Sequence, residues 1–317
     1  GAWKAVWSIN RMKYSVPPGL YAVGNPTPES PVLVTANYKL SFDVLRSELS
    51  GRDVWIMVLD TNGINVWCAA GKGTFGTDEM IRRIETVNLK SIVSHNKVIL
   101  PQLGAPGISA HEVLKRSGFR IVYGPVRAQD IPAFLDSDMK ATQEMRRITF
   151  PMKDRAVLIP VELVAVMKYG IFTALLFVLL SGLHANGYSL HLIVSKGIIN
   201  GAIFFSAAIA GTVLVPLLLP WLPGRSFSAK GFWAGALFMA VLLAISQNFA
   251  GVLNSYLDLA GWFLLVTALT SFIGMNFTGA STYTSLSGVI KEMKVAVPFQ
   301  IVFAIAGFIL WMVARFI

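Results

Sequence analysis

The segment Asn65–Thr77, NVWCAAGKGTFGT, contains the only cysteine of the 317-residue chain, Cys68. It follows the apolar run VWIMVL at Val54–Leu59, which is typical of a strand buried on both faces. It precedes Thr77–Val87, whose apolar spacing predicts a helix. α/β sheets bind their ligands at the carboxyl ends of the strands, where such a connection lies. We therefore expect Cys68 to face a ligand.

Three glycines follow the cysteine, at Gly71, Gly73 and Gly76. Because glycine has no Cβ, we expect this backbone to lie close to a bulky ligand. The same glycines match G-x-G-x-x-G, but Ile92–Val98, about 20 residues further on, offers no Asp or Glu to bind a ribose. A phosphate-binding loop would need a glycine where the chain has Val66. Neither nucleotide-binding motif is therefore expected.

Strands and helices alternate on both sides of this segment, which predicts one α/β domain with a parallel sheet, residues 1–155. Thr77 is predicted to cap its helix, with Asp78 and Glu79 in the first turn. No element is predicted for Trp3–Pro26. The remaining predictions are strands at Pro31–Ala36, within Ser91–Leu100 and at Phe119–Tyr123, a helix at Phe42–Leu49 that begins at Ser41, and a helix at His111–Ser117 capped by Ser109.

The second half of the chain is strongly apolar. Over the whole chain, 54% of residues are hydrophobic, 14% are charged and the mean hydropathy is +0.60, which is too apolar for an ordinary soluble protein. Residues 156–317 are predicted to form an all-α transmembrane domain of five helices, each near the ~20 residues that cross a bilayer. The predicted spans are about 163–183, 198–222, 232–249, 259–277 and 295–314.

The cationic residues predict an orientation. By the positive-inside rule, the α/β domain is cytoplasmic and the C-terminus lies outside, in a multi-pass protein of the inner (plasma) membrane. The cations used are Lys153, Arg155 and Lys168 before the first span, Arg225 and Lys230 between the second and third, and Lys291 and Lys294 before the fifth. The net charge of +10 includes no dense basic tract with interleaved aromatic residues, so nucleic acid is not an expected partner.

No charged residue is expected in the middle of a span, which disfavours an ion or proton route through the membrane. The polar residues of this half are interpreted as helix contacts or an interfacial loop. They are Asn248, Asn254, Asn276 and the run Thr278–Ser287.

A single cysteine limits the redox chemistry of the chain. It excludes an internal disulfide, and it cannot hold an iron–sulfur cluster, which needs about four thiolates. Any electrons must therefore come from another protein. A lone cysteine is also commonly a buried, unreactive residue. The spacing of residues alone therefore leaves the role of Cys68 open.

The segment Asn65–Lys72, NVWCAAGK, resembles the signature N-(V/I)-W-C-A-(A/S)-G-K of the mercury-methylating corrinoid proteins, the HgcA family, at all eight positions. The flanking segments Pro17–Asp43 and Leu59–Glu79 are similar to the corrinoid-binding domain of the corrinoid iron–sulfur protein large subunit. That relative has a threonine where this chain has Cys68. The resemblance implies a Rossmann-like corrinoid-binding domain followed by a membrane domain.

The resemblance also implies a function. The chain would carry a cobamide, a corrinoid of the cobalamin type, and Cys68 would be both the catalytic residue and the lower axial ligand to cobalt as a thiolate. The methyl group on cobalt would be transferred to Hg(II), giving methylmercury. The implied partners are a ferredoxin with two [4Fe-4S] clusters, HgcB, as electron donor, a methyl donor linked to methyltetrahydrofolate, and the lipid bilayer.

Residues at three strand ends are expected to contact the corrinoid. Thr35 and Ser41 fit a strand-end turn and a helix cap equally well, and Trp67 fits either core packing or a wall that excludes water. His95 and His111 lack the Asp-x-His-x-x-Gly context of other corrinoid carriers and rank below Cys68 as cobalt ligands. The expected contacts are Thr35, Asn37, Ser41, Asp60, Thr61, Gly63, Ile64, Asn65, Val66, Trp67, Ala69, Ala70, Gly71, Lys72, Gly73, Gln102, Leu103 and Gly104.

Two other functions stay open. The first is a membrane-tethered corrinoid methyl carrier of one-carbon metabolism, against which Cys68 in place of threonine argues. The second is a transporter or sensor with a cytoplasmic ligand-binding domain, against which the lack of charge in the middle of the spans argues.

Overall fold

The computed structural model describes Trp7, residues 14–246, Leu253, residues 255–280 and residues 286–317. The chain divides into two compact units, and the boundary between them in the sequence falls between Thr149 and Phe150. Arg155, which the sequence analysis assigned to the first domain, belongs to the second unit. The α/β elements and the long apolar helices therefore lie in different units.

The first unit contains a five-stranded sheet. Its strands are β1 Gly19–Val23, β2 Val32–Ala36, β3 Val54–Leu59, β4 Lys97–Leu100 and β5 Arg120–Tyr123. Their order in the sheet is β1-β3-β2-β4-β5. Strands β2 to β5 run parallel, which confirms the α/β prediction, whereas β1 pairs antiparallel with β3. The prediction of a wholly parallel sheet was therefore wrong. An edge strand such as β1 is only partly buried, so its sequence lacks the long apolar run of a central strand.

Helices cover both faces of this sheet. They are α1 Lys39–Glu48, α2 Val66–Lys72, α3 Thr77–Thr86, α4 Leu89–Ile92, α5 Ala110–Ser117, α6 Ile131–Asp136 and α7 Gln143–Arg146, with 3₁₀ segments at Gln102–Gly107 and Ala128–Asp130. Val34 on β2 packs in a cluster with Met80 of α3, and its neighbour Leu33 packs in the opposite cluster with Phe42 of α1 and Phe134 of α6. Burial on both faces explains why β2 and β3 are continuous apolar runs.

Two predicted helix caps were wrong. Helix α1 is capped at Tyr38, so Ser41 lies inside it, and helix α3 is capped at Gly76. The hydroxyl oxygen of Thr77 accepts a hydrogen bond from the backbone nitrogen of Ser109 at 2.9 Å. The threonine therefore joins the starts of α3 and α5 instead of capping its own helix. Ser109 is the N-cap residue of α5, as predicted, but its side chain makes no capping hydrogen bond.

The second unit is largely helical. Its elements are the helices α8 Met152–Ala156, α9 Ile159–Leu180, α10 Leu190–Leu192, α11 Ile198–Leu218, α12 Phe227–Ser246, α13 Tyr256–Asn276 and α14 Leu286–Val313, the short strands β6 Leu183–His184 and β7 Gly187–Tyr188, a π-helical segment at Ile193–Gly197 and a 3₁₀ segment at Phe277–Ala280. Helices α9, α11, α12, α13 and α14 provide five segments that are long and apolar enough to cross a bilayer. The five predicted spans are confirmed in this sense.

Three lysines do not precede their spans as predicted. Lys168 lies inside α9, and Lys291 and Lys294 lie inside α14. A helix can extend beyond its most apolar residues because a long lysine side chain can carry its charge back toward water. Asn248, Asn254, the end of the predicted third span and part of Thr278–Ser287 lie outside the described residues.

Aromatic residues and glycines form the centre of this helix bundle. Trp262 and Trp311 are fully buried, and their rings lie 5.2 Å and 4.8 Å from the ring of Phe177. Helices α13 and α14 approach closely at Gly261 and Gly307, where an added Cβ on Gly307 would lie 2.8 Å from the carbonyl oxygen of Gly261. Small residues allow such close packing between helices in a membrane.

Candidate functional site

Cys68 lies on a helix, not in the loop that the sequence predicted. Helix α2, Val66–Lys72, begins directly beyond the end of β3, and Cys68 is its third residue. The side-chain oxygen of Asn65 caps the helix by accepting a hydrogen bond from the backbone nitrogen of Cys68 at 2.9 Å. The helix ends at Gly73, whose φ of +81° is left-handed. The helix has only seven residues, with a glycine near its end. This is too short for apolar residues to repeat at the helical spacing, which is why the sequence did not indicate a helix.

Helix α2 has one buried and one exposed face. Ala69 and Ala70 are buried in the core. Trp67 and Cys68 are half-buried, and Gly71 and Lys72, four residues further on, are exposed. Residues i and i+4 share one side of a helix. The thiol-bearing residue therefore lies on the exposed side of α2, at the carboxyl edge of the sheet.

The 3₁₀ segment after β4 packs against the buried face of α2. A Cβ added to Gly107 would lie 2.2 Å from the carbonyl oxygen of Phe75 and 3.0 Å from the Cα of Ala70. A Cβ added to Gly104 would lie 2.5 Å from the ring of Phe75. These two glycines are therefore needed for packing within the fold, and Gly104, a predicted ligand contact, is buried.

The three glycines after Cys68 have different roles. Gly73 adopts a left-handed conformation, and a Cβ on Gly76 would lie 2.7 Å from the carbonyl oxygen of Gly73. Among the described residues, and leaving aside the backbone of α2 itself, no atom lies within 4 Å of the position that a Cβ of Gly71 or Gly73 would take. Gly73 and Gly76 thus have reasons within the fold to be glycine, and the approach of a ligand to the three glycines stays a prediction.

Asn37, at the end of β2, holds the turn that leads from β3 to α2. Its side-chain oxygen accepts hydrogen bonds from the backbone nitrogens of Thr61 at 3.1 Å and Gly63 at 2.9 Å. Its side-chain nitrogen donates to Asp60 at 3.1 Å. Asn37 and Thr61 are both buried. Asn37 therefore shapes the site from within the protein, and its hydrogen-bonding atoms are already used.

Glu79 of α3 holds the same turn from the other side. One carboxylate oxygen accepts a hydrogen bond from the backbone nitrogen of Asp60 at 2.8 Å and from Arg83 at 2.7 Å, and the other pairs with Arg82. Burial raises the pKa of Glu79, but the hydrogen bonds from Asp60, Arg83 and Arg82 outweigh burial and hold it below its ordinary value of 4.5. Sequence analysis placed Glu79 only in a helix start and missed this role.

The predicted contact residues do not all come together. Those of α2 and of the turn before it are adjacent. Gln102 follows β4, which β2 separates from β3 in the sheet, and its side-chain oxygen accepts a hydrogen bond from Arg146 at 3.2 Å. Arg146 was not predicted. In contrast, Thr35 is a buried residue within β2, paired with Val58, and Ser41 lies inside α1.

The two histidines lie in different parts of the first unit. His95 precedes β4, at the amino end of the strand, and its ring nitrogen Nε2 lies 2.9 Å from the carbonyl oxygen of Ser30. His111 is an exposed residue in the first turn of α5, the helix that follows β4 and its 3₁₀ segment. His95 therefore lies at the opposite edge of the sheet from Cys68, whereas His111 follows the carboxyl end of β4.

Comparisons with known proteins concern the first unit. Residues 4–135 match the family model of the CO dehydrogenase/acetyl-CoA synthase delta subunit. The acetyl-CoA decarbonylase/synthase complex subunit gamma of Methanosarcina acetivorans is 31% identical over 139 residues, which are 43% of this chain and 29% of the relative. The subunits gamma of Methanopyrus kandleri and Archaeoglobus fulgidus are 28% identical over 137 residues and 27% identical over 135 residues. The first unit is similar in sequence to part of these subunits.

These matches support the expected corrinoid iron–sulfur protein-like domain. The Methanopyrus match covers 43% of this chain and 29% of the relative, and the Archaeoglobus match covers 42% and 28%. The chain therefore spans less than a third of the length of these relatives. The family match ends at residue 135, before the first long apolar helix, α9.

Proposed function

We propose that this chain is a corrinoid-dependent methyltransferase that methylates Hg(II), with the thiolate of Cys68 as the lower axial ligand to cobalt. The observation that carries the proposal is the segment NVWCAAGK, which matches the HgcA signature and forms a single helix, α2, at the carboxyl edge of the sheet. The relatedness of residues 4–135 to subunits of acetyl-CoA-forming complexes supports a role in corrinoid methyl transfer.

The exposed face of α2 fits a flat, bulky group. Cys68 offers a sulfur donor, and Gly71, one turn further on, leaves open space where any other residue would place a Cβ. Both are on the side of α2 that faces away from the core, beside the half-buried Trp67. When bound there, a corrinoid supplies a cobalt-centred methyl group for transfer.

Each neighbouring residue has a part in presenting the thiol. Asn65 fixes the first turn of α2 by accepting the backbone N–H of Cys68. Asn37 and Glu79 hold the preceding turn from two sides, so that α2 begins at a set position. The indole of Trp67 limits access of water to the thiol, and Lys72 adds a positive charge on the same face.

The sulfur atom is the reason for proposing Hg(II) as the acceptor. A thiolate donates electron density to a metal strongly, as thiolate-ligated haem shows, whereas a threonine hydroxyl does not. Cys68 would hold the cobalt through this sulfur, and the corrinoid would supply a methyl group that an electrophile can accept. Hg(II) is a soft acceptor, which suits such a transfer.

The partners and location are part of the proposal. A ferredoxin with two [4Fe-4S] clusters, HgcB, would supply electrons, and a methyltetrahydrofolate-linked donor would supply the methyl group. The five long helices support a multi-pass protein of the inner membrane. The distribution of lysine and arginine supports a cytoplasmic corrinoid domain and an outside C-terminus.

A second candidate is a membrane-tethered methyl carrier of one-carbon metabolism. It is favoured by the names of the relatives, which are subunits of acetyl-CoA decarbonylase/synthase complexes. A carrier needs corrinoid binding but has no need for a thiolate at position 68. The two candidates therefore differ in the effect of changing Cys68.

The test uses the full chain in membranes, with cobamide, a methyltetrahydrofolate-linked methyl donor, a low-potential ferredoxin and Hg(II). Cys68→Thr, the residue found in the corrinoid iron–sulfur protein, is expected to retain corrinoid but to lose at least nine-tenths of methylmercury formation. Ser94→Ala, a change at the opposite edge of the sheet, is the matched control and is expected to keep full activity. Undiminished methylmercury formation by Cys68→Thr would refute the proposed role of the thiolate and favour the carrier.

A further inference from the structure

The helix bundle contains a small polar cavity of about 120 Å³ at the end where α9 and α14 terminate and where α11 and α13 begin. It is lined by Ser181, Leu183, His184, Leu192, Lys196, Asn200, Asp258, Ala314 and Arg315. The proposed methyl transfer at Cys68 gives this cavity no role.

Two cations and one anion line the cavity. Lys196 and Arg315 are cations, and Asp258 is an anion that interacts electrostatically with both of them. Within the described part of the chain, no direct ion pair joins Asp258 to either cation. Ionisable groups within a membrane domain are costly and normally pair with one another. One carboxylate balances at most one of the two positive charges, so an excess of positive charge is left at the cavity.

Two nitrogen atoms at the cavity have unmet hydrogen-bonding capacity. Within the described residues, Nε of Arg315 and Nδ1 of His184 are buried and have no hydrogen-bond partner. The guanidinium of Arg315 lies 3.7 Å from the centre of the Trp311 ring, which holds the arginine in place. Buried polar groups are nearly always hydrogen-bonded, so such atoms call for an explanation.

The local backbone is unusual at the same place. Lys196 belongs to the π-helical segment Ile193–Gly197, and π-helical turns are rare and frequent at functional sites. Asn200, in the first turn of α11, is buried and lines the cavity, and its side-chain nitrogen donates to Ser181 at 2.9 Å. The side-chain amide of Asn200, held by Ser181, therefore lines the same cavity as Lys196 and Arg315.

We propose that this cavity binds a small oxyanion, either a carboxylate or a phosphate group. Lys196, Arg315 and Asn200 supply hydrogen-bond donors, and the two cations exceed the single charge of Asp258. With a volume of about 120 Å³, the cavity has room for a group the size of a carboxylate or a phosphate and none for a nucleotide. The group can belong to a free anion or to the headgroup of an anionic lipid, since both present the same chemistry.

The proposal is tested on the full chain in a nonionic detergent. Sodium acetate and sodium phosphate are titrated separately at constant ionic strength, which is maintained with sodium chloride, and the thermal unfolding midpoint is recorded. A ligand that binds only the folded state raises this midpoint in a concentration-dependent way. We expect a saturable rise with at least one of the two anions, or with phosphatidylglycerol added to the micelles in place of phosphatidylcholine. A response to free anions identifies a soluble ligand, and a response to phosphatidylglycerol alone identifies a lipid headgroup.

Variants connect the response to the cavity. Lys196→Gln and Arg315→Gln are each expected to raise the half-saturating concentration at least tenfold, whereas Asp258→Asn is expected to lower it. Lys294→Gln removes a cation from α14 that does not line the cavity and is expected to leave it unchanged. If Arg315→Gln unfolds the protein, Arg315→Lys keeps the charge and should still respond. The proposal is wrong if no probe gives a saturable rise, or if Lys196→Gln responds as the unmodified chain does.

Discussion

The side-chain oxygen of Asn37 lies 2.9 Å from the backbone nitrogen of Gly63, and this hydrogen bond ties the end of β2 to the turn that leads into the cysteine-bearing helix. The same oxygen accepts from the backbone nitrogen of Thr61 at 3.1 Å. This buried amide therefore helps to set where α2 begins, together with Glu79 and the Asn65 cap.

Replacing Asn37 by Leu is expected to loosen this turn. The change leaves two buried N–H groups without an acceptor, at a cost on the order of 3 kcal/mol. Hydrogen exchange of the full chain should show faster exchange in peptides that cover residues 60–72. Ser41→Ala, a polar change inside the nearby helix α1, is the control and should leave exchange in this segment unaltered. Unchanged protection in Asn37→Leu would show that the turn does not depend on the amide.

Glu79 is expected to make stability depend on pH. Its pKa is lowered in the folded state, so its contribution is fully present above the unfolded value near 4.5 and is lost as the pH falls through the folded pKa. Glu79→Gln should therefore lower the thermal unfolding midpoint near neutral pH, by an amount that reflects about 2 kcal/mol of lost charged hydrogen bonds. The difference from the unmodified chain should shrink as the pH falls below 4.5.

Asp78 provides the matched control for that experiment. It is the neighbouring acidic residue, and its carboxylate is largely exposed and pairs with Arg116 at 2.7 Å. Exposed ion pairs contribute little to stability. Asp78→Asn should therefore change the midpoint much less than Glu79→Gln does. Equal effects of the two substitutions at neutral pH would contradict the assigned role of the buried carboxylate.

The fold was predictable where burial is continuous. The runs at Val32–Ala36 and Val54–Leu59 are apolar because both faces of the sheet are covered, and the five apolar spans have the length that a bilayer requires. Strand β1 was not predictable, since an edge strand has no such run. Helix α2 was not predictable either, because its stability comes from the Asn65 cap and from packing against the 3₁₀ segment, not from an apolar period.

The candidate site was predictable only in part. The resemblance singled out Cys68 and its neighbours by sequence, and the structure adds which of them face outward. Roles that depend on distant partners were missed. The sequence does not show that Glu79 accepts a hydrogen bond from the backbone of Asp60. It also does not show that the side chain of Asn37 is hydrogen-bonded to Asp60 inside the protein. Such contacts depend on the tertiary arrangement of β2, β3 and α3.

Arg155 is expected to stabilise the membrane unit. It is almost fully buried, and its Nη1 atom donates to the carbonyl oxygens of Pro216 at 2.8 Å and Leu217 at 3.0 Å, at the end of α11. Carbonyl groups at a helix end have no partner within the helix and need a donor. Arg155→Met should therefore lower the unfolding midpoint of the full chain in detergent, by an effect on the order of 2 kcal/mol. Lys153→Met, which removes an exposed cation from the same helix α8, should change it little, and a similar loss in both variants would show that general charge, not this contact, is responsible.

Gly71 and Gly107 are expected to respond differently to substitution by alanine, because the space around them differs. An added Cβ at Gly107 meets the carbonyl oxygen of Phe75 at 2.2 Å, so Gly107→Ala should destabilise the first unit and displace the 3₁₀ segment. At Gly71 the Cβ meets no atom of the described residues within 4 Å outside the backbone of α2. Gly71→Ala should therefore leave the fold intact or stabilise it by about 0.5–1 kcal/mol, as alanine does in place of glycine within a helix.

The amount of corrinoid that a stable glycine variant retains tests whether the ligand lies against Gly71. If the exposed face of α2 lies against the macrocycle, as we propose, the extra methyl group of Gly71→Ala should reduce the corrinoid retained after gel filtration at least fivefold without lowering the unfolding midpoint. Glu85→Ala, an exposed change in α3 at a residue that is not an expected contact, is the control and should keep full retention. Full retention by Gly71→Ala in a stable protein would mean that the corrinoid does not approach this part of α2, and the thiol of Cys68 would then lack the neighbouring surface that its proposed role requires.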